Sequence, residues 1–379
     1  MTATIEPFRI DIPDAALGDL RDRLAHTRWP DRETVADWSQ GMPLDYLQDL
    51  CRYWAEAYDW RSRETHLNSF PQYRTEIDGL GIHFIHARSP VEDALPLVIT
   101  HGWPGSIVEF HKVIGPLTEP VAHGGGAGDA FHVVCPSLPG YGFSDKPGRS
   151  GWGVERIADA WAELMGRLGY RRYGAQGGDW GAGVTRNLAG RHPGHVAGIH
   201  LNMVVVAPDT SAPEELTEKE RDCLASMQHY ADHDSGYRKQ QSTRPQTLGY
   251  GLVDSPAGQC AWIVEKFWSW TDSDGDPLNV LSRDEILDNV MLYWLRATGA
   301  SSARLYWESD TLRRRARVTV PSGCSIFPKE IIRPSRRWAE QDFTDIRWWD
   351  EPARGGHFAA FEQPEIFVDQ VRSFFRLAR

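Results

Sequence analysis

Apolar positions near the start of the chain recur at helical spacing. Leu17, Leu20 and Leu24 follow Asp14, which is placed to cap a helix, and Leu47, Leu50 and Trp54 repeat the pattern. Between Tyr73 and Ala87 the period drops to two around Asp78-Gly79, the signature of a hairpin. Residues 1–90 are therefore expected to form a meander that wraps the rest and has no chemistry of its own.

From residue 95 short apolar runs alternate with amphipathic helices, which predicts an α/β fold: a mostly parallel sheet with helices on both faces. The runs are Leu97–Thr100, His132–Cys135, Arg172–Gln176, Val196–Val205, Val318–Phe327 and Ile346–Trp349. A helix with Val154, Ile157, Trp161, Leu164 and Leu168 precedes the third. Residues 207–316 interrupt the alternation with helical sequence rich in Trp and Tyr, as expected of a cap over the strand ends, where ligands of such sheets bind. The chain divides into the meander (1–90), a first core part (91–206), the cap (207–316) and a second core part (317–379).

With 379 residues there is room for about two lobes or one large α/β enzyme. A net charge of −11 argues against nucleic acid or an anionic membrane as partner, since both require a basic surface. The clusters Arg313-Arg314-Arg315 and Arg333 to Arg337 are short and interrupted, and read as solvated faces. The five cysteines form no Cys-x-x-Cys pair and read as buried reduced thiols. Neither a metal site nor a cofactor motif is implied; Gly124 to Gly128 follows a polar connector and reads as a loop rather than a phosphate cradle. The start of the chain has no leader pattern, and no run of about 18 apolar residues occurs, so a cytoplasmic protein without a membrane anchor is expected.

Chemistry enters at Gln176-Gly177-Gly178-Asp179-Trp180-Gly181, between a predicted strand and a predicted helix. It has the Gly-x-nucleophile-x-Gly form of the nucleophile elbow of the α/β-hydrolase fold, with Asp179 in the nucleophile's place. A carboxylate displaces a leaving group at saturated carbon and leaves an alkyl ester, which a base can then hydrolyse. His101-Gly102-Trp103-Pro104-Gly105-Ser106 follows the first core strand, where this fold keeps its oxyanion loop, so the N–H groups of Trp103 and Trp180 are the expected oxyanion hole. Gly355-Gly356-His357 follows the last strand and supplies the base, His357. The orienting acid belongs after the preceding strand, which selects Glu330. Asp209 is the reserve, and Asp345 and Asp350 flank the wrong strand.

In combination, His101-Gly102-Trp103-Pro104, Leu138-Pro139-Gly140-Tyr141-Gly142-Phe143-Ser144, Gly178-Asp179-Trp180 and Gly356-His357-Phe358-Ala359-Ala360 resemble the microsomal-type epoxide hydrolases and their soluble bacterial and fungal relatives. The likeness runs from Phe8-Arg9-Ile10 and Phe70-Pro71-Gln72-Tyr73 to Glu362. It implies an α/β-hydrolase fold with an N-terminal meander and a cap, and opening of an epoxide by water to a vicinal diol. It places the nucleophile on Asp179, the base on His357, the acid on Glu330 within Phe327-Pro328-Lys329-Glu330, and two cap tyrosines on Tyr306 and, by a shorter match, Tyr237. A phenol can protonate the alkoxide formed as the ring opens. The competing reading of Tyr237, Tyr250, Tyr293 and Tyr306 is packing alone.

The resemblance implies a small-molecule epoxide and water as partners. The sequence does not settle whether the substrate is an aryl, styrene-oxide-like epoxide, which the 16 tryptophans favour, or a natural-product intermediate of enediyne type. It also leaves homo-oligomer formation open. Two rivals remain: a haloalkane dehalogenase, which shares the Asp elbow but needs halide donors, and a non-catalytic receptor on the same scaffold, against which the Asp179, His357 and Glu330 set argues.

Overall fold

The computed structural model describes residues 4–309 and 317–379. Arg313-Arg314-Arg315 and the last residues assigned to the cap lie outside that range. Among the described residues nine strands form one sheet: β1 (Glu6–Phe8), β2 (Gln72–Ile77), β3 (Leu80–Ala87), β4 (Leu95–Thr100), β5 (Phe131–Pro136), β6 (Tyr173–Gly177), β7 (Val196–Leu201), β8 (Ser322–Ser325) and β9 (Ile346–Asp350). Their order is β1-β2-β3-β5-β4-β6-β7-β8-β9. From β5 to β9 every pairing is parallel. β5 and β7 are buried along their whole length, which is why they are apolar without alternation.

The N-terminal part is more than a wrapper. The hairpin turns at Asp78 and Gly79, both at positive φ (53° and 73°), as a two-residue turn of this hand requires. Its second strand pairs antiparallel with β5, from Phe84 opposite Pro136 to Ala87 opposite Val133, so the meander extends the central sheet. Helix α1 (Asp14–Ala25) starts at Asp14 itself, with Pro13 as the cap residue. Asp14 therefore sits in the first turn and pairs with Arg61. After α2 (Leu44–Glu56) comes a helix the periodicity did not predict, α3 (Trp60–Leu67), started by the Asp59 carboxylate accepting the N–H groups of Arg61 and Ser62.

Core helices α4 (His111–Thr118), α5 (Val154–Arg167) and α6 (Asp179–Arg191) follow. The cap is built from α7 (Glu218–His229), α8 (Gly236–Thr243), α9 (Pro245–Asp254), α10 (Pro256–Trp270), α11 (Arg283–Trp294) and α12 (Gly299–Glu308). The meander braces it. Tyr58 donates to Asp288 of α11 at 2.8 Å, and the Arg63 guanidinium holds the same buried carboxylate. α11 in turn grips the loop after β4, where Asn289 Nδ2 donates to the Pro104 carbonyl and Tyr293 Oη to the Gly105 carbonyl, both at 2.7 Å.

Two expectations about the second core part need correction. The run Val318–Phe327 contributes only four residues to the ladder, Ser322–Ser325, while Val318 bridges to Phe343 instead. Arg333 to Arg337 is more than a solvated face: Arg336 and Arg337 are exposed, yet Arg337 pairs with buried Glu220 of α7 at 2.9 Å, and Arg333 donates to the Pro328 carbonyl. All five cysteines are buried and unpaired. Among the described residues, no helix is long and apolar enough to cross a membrane, and no group of three or more His, Cys, Asp or Glu side chains is arranged to hold a metal ion.

Candidate active site

Asp179 opens α6 directly after β6, with φ at 49°. Few non-glycine residues tolerate that region; Asp is one of the better ones, and local strain of this kind concentrates at functional sites. The turn closes only because its flanks are bare. A Cβ on Gly181 would collide with the Thr100 carbonyl of β4, and one on Gly102 with the Asp179 carboxylate itself. The Trp103 N–H donates to Asp179 Oδ1 at 2.8 Å. The Trp180 N–H, one residue into α6, makes no bond to that carboxylate, and its indole packs edge-on against Tyr306 at 4.7 Å.

His357 reaches the elbow from the loop after β9. Its Nε2 lies 3.4 Å from Asp179 Oδ2, and its Nδ1 is 2.7 Å from Glu330 Oε1. Glu330 comes from the loop after β8 and is almost fully buried; the same Oε1 accepts the Ile331 N–H at 2.7 Å. The His357 backbone N–H is tied to the Trp270 carbonyl at the end of α10, so the cap also positions this loop. The three predicted residues thus meet as one chain of contacts. The alternatives do not: Asp209 is half-buried and bonded to Ser211, Asp345 pairs with Arg347, and Asp350 accepts from Gln370.

Burial works to lower the imidazole pKa, but the Glu330 carboxylate, and after it Asp179, outweigh burial and hold His357 well above its ordinary value. Replacing Glu330 by Gln removes the stronger of these two charges. Glu330→Gln is therefore expected to move the His357 titration to lower pH, so that the ring is neutral at a pH where the wild type is still protonated. Imidazole NMR across a pH series reads this directly, and an unmoved or upward-shifted titration would contradict the assignment of Glu330.

On the cap side, Tyr237 of α8 stacks on Trp103 with centroids 4.9 Å apart and planes 9° apart, and Tyr306 of α12 meets the Tyr237 ring edge-on at 5.8 Å. Burial pushes both phenols well above the ordinary tyrosine value, so each keeps its proton at neutral pH and can donate it. The Tyr306 hydroxyl is buried with no hydrogen-bond partner among the described residues. Tyr237 is bonded at 2.9 Å to the hydroxyl of Tyr230, a third phenol that sequence patterning missed. Tyr230 opens a π-helical turn, Tyr230–Asp234, whose extra residue no periodicity announces. Behind Tyr237, Lys266 sits 4.8 Å from the ring centre and pairs with Asp234 at 2.6 Å. The two other tyrosines of the packing alternative differ: Tyr250 is exposed, and Tyr293 spends its hydroxyl on Gly105.

These phenols and Asp179 face a cavity of about 130 Å³ whose other walls include Leu201, Met203, Val205 and Phe343. Of the tryptophans only Trp180 lines it; Trp161, Trp270 and Trp338 are buried in packing.

Comparison with known proteins gives a consistent picture. A family model described as epoxide hydrolase N terminus matches residues 5–110, and one described as alpha/beta hydrolase fold matches residues 96–247. The chain is 57% identical over 376 residues to a protein of Stigmatella aurantiaca named "Putative epoxide hydrolase", covering 99% of this chain and 86% of that one. To epoxide hydrolase 1 of Sus scrofa it is 35% identical over 404 residues, covering 99% and 89%. The crystal structure of juvenile hormone epoxide hydrolase from the silkworm Bombyx mori matches with a TM-score of 0.91 at 32% identity, covering all of this chain and 96% of that one. Aspergillus niger epoxide hydrolase matches with a TM-score of 0.89 at 33% identity, covering 99% and 97%.

Proposed function

This chain belongs to the epoxide hydrolase family, and from that premise we propose that it opens a compact epoxide to a vicinal diol in two half-reactions through an ester on Asp179. In the first, Asp179 Oδ2 attacks an epoxide carbon, the ring carbon–oxygen bond breaks, and the alkoxide takes the proton of Tyr306 or Tyr237. Oδ2 is the attacking atom because Oδ1 is already held by the Trp103 N–H. In the second, water gives a proton to His357 Nε2 as its oxygen bonds to Cγ of Asp179. The tetrahedral oxyanion rests on the N–H groups of Trp103 and Trp180. Collapse breaks the bond between Cγ and the ester oxygen. The departing diol oxygen takes the proton from His357, and the proton left on Asp179 restores the phenol.

The observation that carries this reading is Asp179 standing between two kinds of partner, phenols on the cap side and the His357–Glu330 pair on the core side. The charge state of His357 fits the sequence of steps. Esterification removes one of the two charges that hold its proton, so the imidazolium releases that proton to solvent and the neutral ring is in place when a base is required.

Space supports a compact substrate. An apolar cavity of about 150 Å³ takes up one benzene ring, and the cavity here, about 130 Å³, favours a single-ring aryl epoxide over a polycyclic intermediate. The dehalogenase alternative is less well served, since the groups facing Asp179 from the cap are phenols able to give up a proton rather than a pair of indole N–H donors.

One turnover of styrene oxide in heavy-oxygen water tests the scheme. The first diol is expected unlabelled, with the label in the peptide that contains Asp179; label in the first diol would overturn the ester route. Halide release from chloroalkanes, with no diol from epoxides, would establish the rival.

A further inference from the structure

We infer that Glu109 binds and orients the hydrolytic water, holding it in a small cavity on the core side of Asp179. This inference rests on the ester mechanism proposed above and adds a residue to its second half-reaction.

Two cavities share Asp179. The larger one, under the cap, contains the phenols. The smaller has a volume of about 10 Å³ and is lined by Gly102, Gly105, Glu109, Asn202 and His357 together with Asp179. That is room for about one water molecule, which needs two to four polar partners to reside in such a space. Because the epoxide arrives from the cap side and its carbon ends up on Oδ2, a water seated opposite has the ester carbon in front of it and His357 beside it.

The polar groups around the small cavity sort themselves by what they already hold. Asn202 is committed: its Oδ1 accepts from Gln176 at 2.8 Å and its Nδ2 points to the His357 carbonyl at 3.5 Å. Asp179 and His357 are the reacting pair. Glu109 has no role in the scheme so far. Its carboxyl lies over Gly105, in the space that a Cβ there would occupy, and so reaches the cavity only because residue 105 is glycine. Burial pushes its pKa up to about 8, and the charges of His357 and Asp179 both act on it, as their proximity requires.

The placement is also rigid. Glu109 belongs to the short helical turn Ile107–Phe110, started by the Ser106 hydroxyl, which is itself fixed by Asn289 of α11 at 2.7 Å. Ser106, Pro104 and Gly105 are all gripped by α11. A carboxyl on such a support holds a water in one orientation, and misplacing a reactant by about 1 Å costs on the order of 10²-fold in rate.

The experiment separates the half-reactions. Glu109→Gln keeps shape and part of the hydrogen bonding; Glu109→Met keeps length and removes the polar end. Each is mixed with excess styrene oxide, quenched over time, and followed by intact mass for the ester and by diol release. Ester formation is expected within about 3-fold of wild type in both variants, while ester hydrolysis slows about 10-fold in the Gln variant and on the order of 10²-fold in the Met variant. The ester should therefore accumulate. Hydrolysis at the wild-type rate in Glu109→Met overturns the inference, and so does an equal fall in both half-reactions, which is what a merely structural carboxyl would give. Melting temperature is measured alongside; should the Met variant not fold, the Gln variant decides by the same split. Failure of the ester scheme itself would look different, since no adduct would form on Asp179 even when His357 is replaced.

Discussion

Asp179→Ala is expected to abolish turnover, with kcat/KM for any epoxide falling by at least 10⁴-fold, or roughly 5.5 kcal/mol of transition-state stabilisation. Among the described residues, the Asp179 carboxylate is the one group lining both cavities from which an ester can form. Phenols and oxyanion donors left behind would polarise the epoxide but provide nothing to attack it. Loss of activity must be separated from loss of fold, because residue 179 sits at φ 49°, where alanine is more strained than aspartate. Asp179→Gly removes that strain along with the nucleophile, so it should melt no lower than the alanine variant and be equally inactive. Asp179→Asn is a poorer control. Its amide would stand about where Oδ2 now lies, 3.4 Å from His357 Nε2, where the machinery that hydrolyses the ester could hydrolyse it back to aspartate. Substantial diol formation by the glycine variant, beyond the uncatalysed rate, would remove Asp179 from the mechanism.

His357→Gln should open the epoxide once and then stall. The first half-reaction needs the Asp179 carboxylate and a phenol proton, neither of which His357 supplies. The second needs a base at the water. Losing it is expected to slow hydrolysis of the ester by 10²- to 10⁴-fold, about 2.7 to 5.5 kcal/mol. Intact mass spectrometry after mixing should therefore find a stoichiometric adduct with the full mass of the epoxide, mapping to the peptide with Asp179. The loop should survive the substitution because its anchor, the His357 N–H on the Trp270 carbonyl, belongs to the backbone. A folded variant that binds substrate yet yields neither adduct nor diol would refute the division of labour between Asp179 and His357.

The sequence by itself located the positions that the fold brings together: the turn at Asp179, the loop at Trp103, His357 and Glu330. Each is a local necessity: a turn with Asp179 at positive φ and α6 packed against β4 admits only glycine at position 181, Gly102 leaves room for the Asp179 carboxylate, and Gly356 lets the loop approach the Trp270 carbonyl. The core strands are legible as apolar runs for a similar reason, since a strand buried on both faces has no polar positions to spare. What only the tertiary structure decided depends on residues distant in the chain. That β1 to β3 extend the sheet is set by pairing between Phe84 and Pro136, not by the hairpin's own pattern. Arg337 is exposed, but its partner Glu220 is buried at the foot of the cap, a pairing no local pattern shows. The tryptophans suggested an aromatic cavity, yet most are spent on packing, while Tyr230 and Glu109 reach the site through a π-helical turn and across a glycine. Neither geometry has a sequence period, because each is fixed by what packs against it.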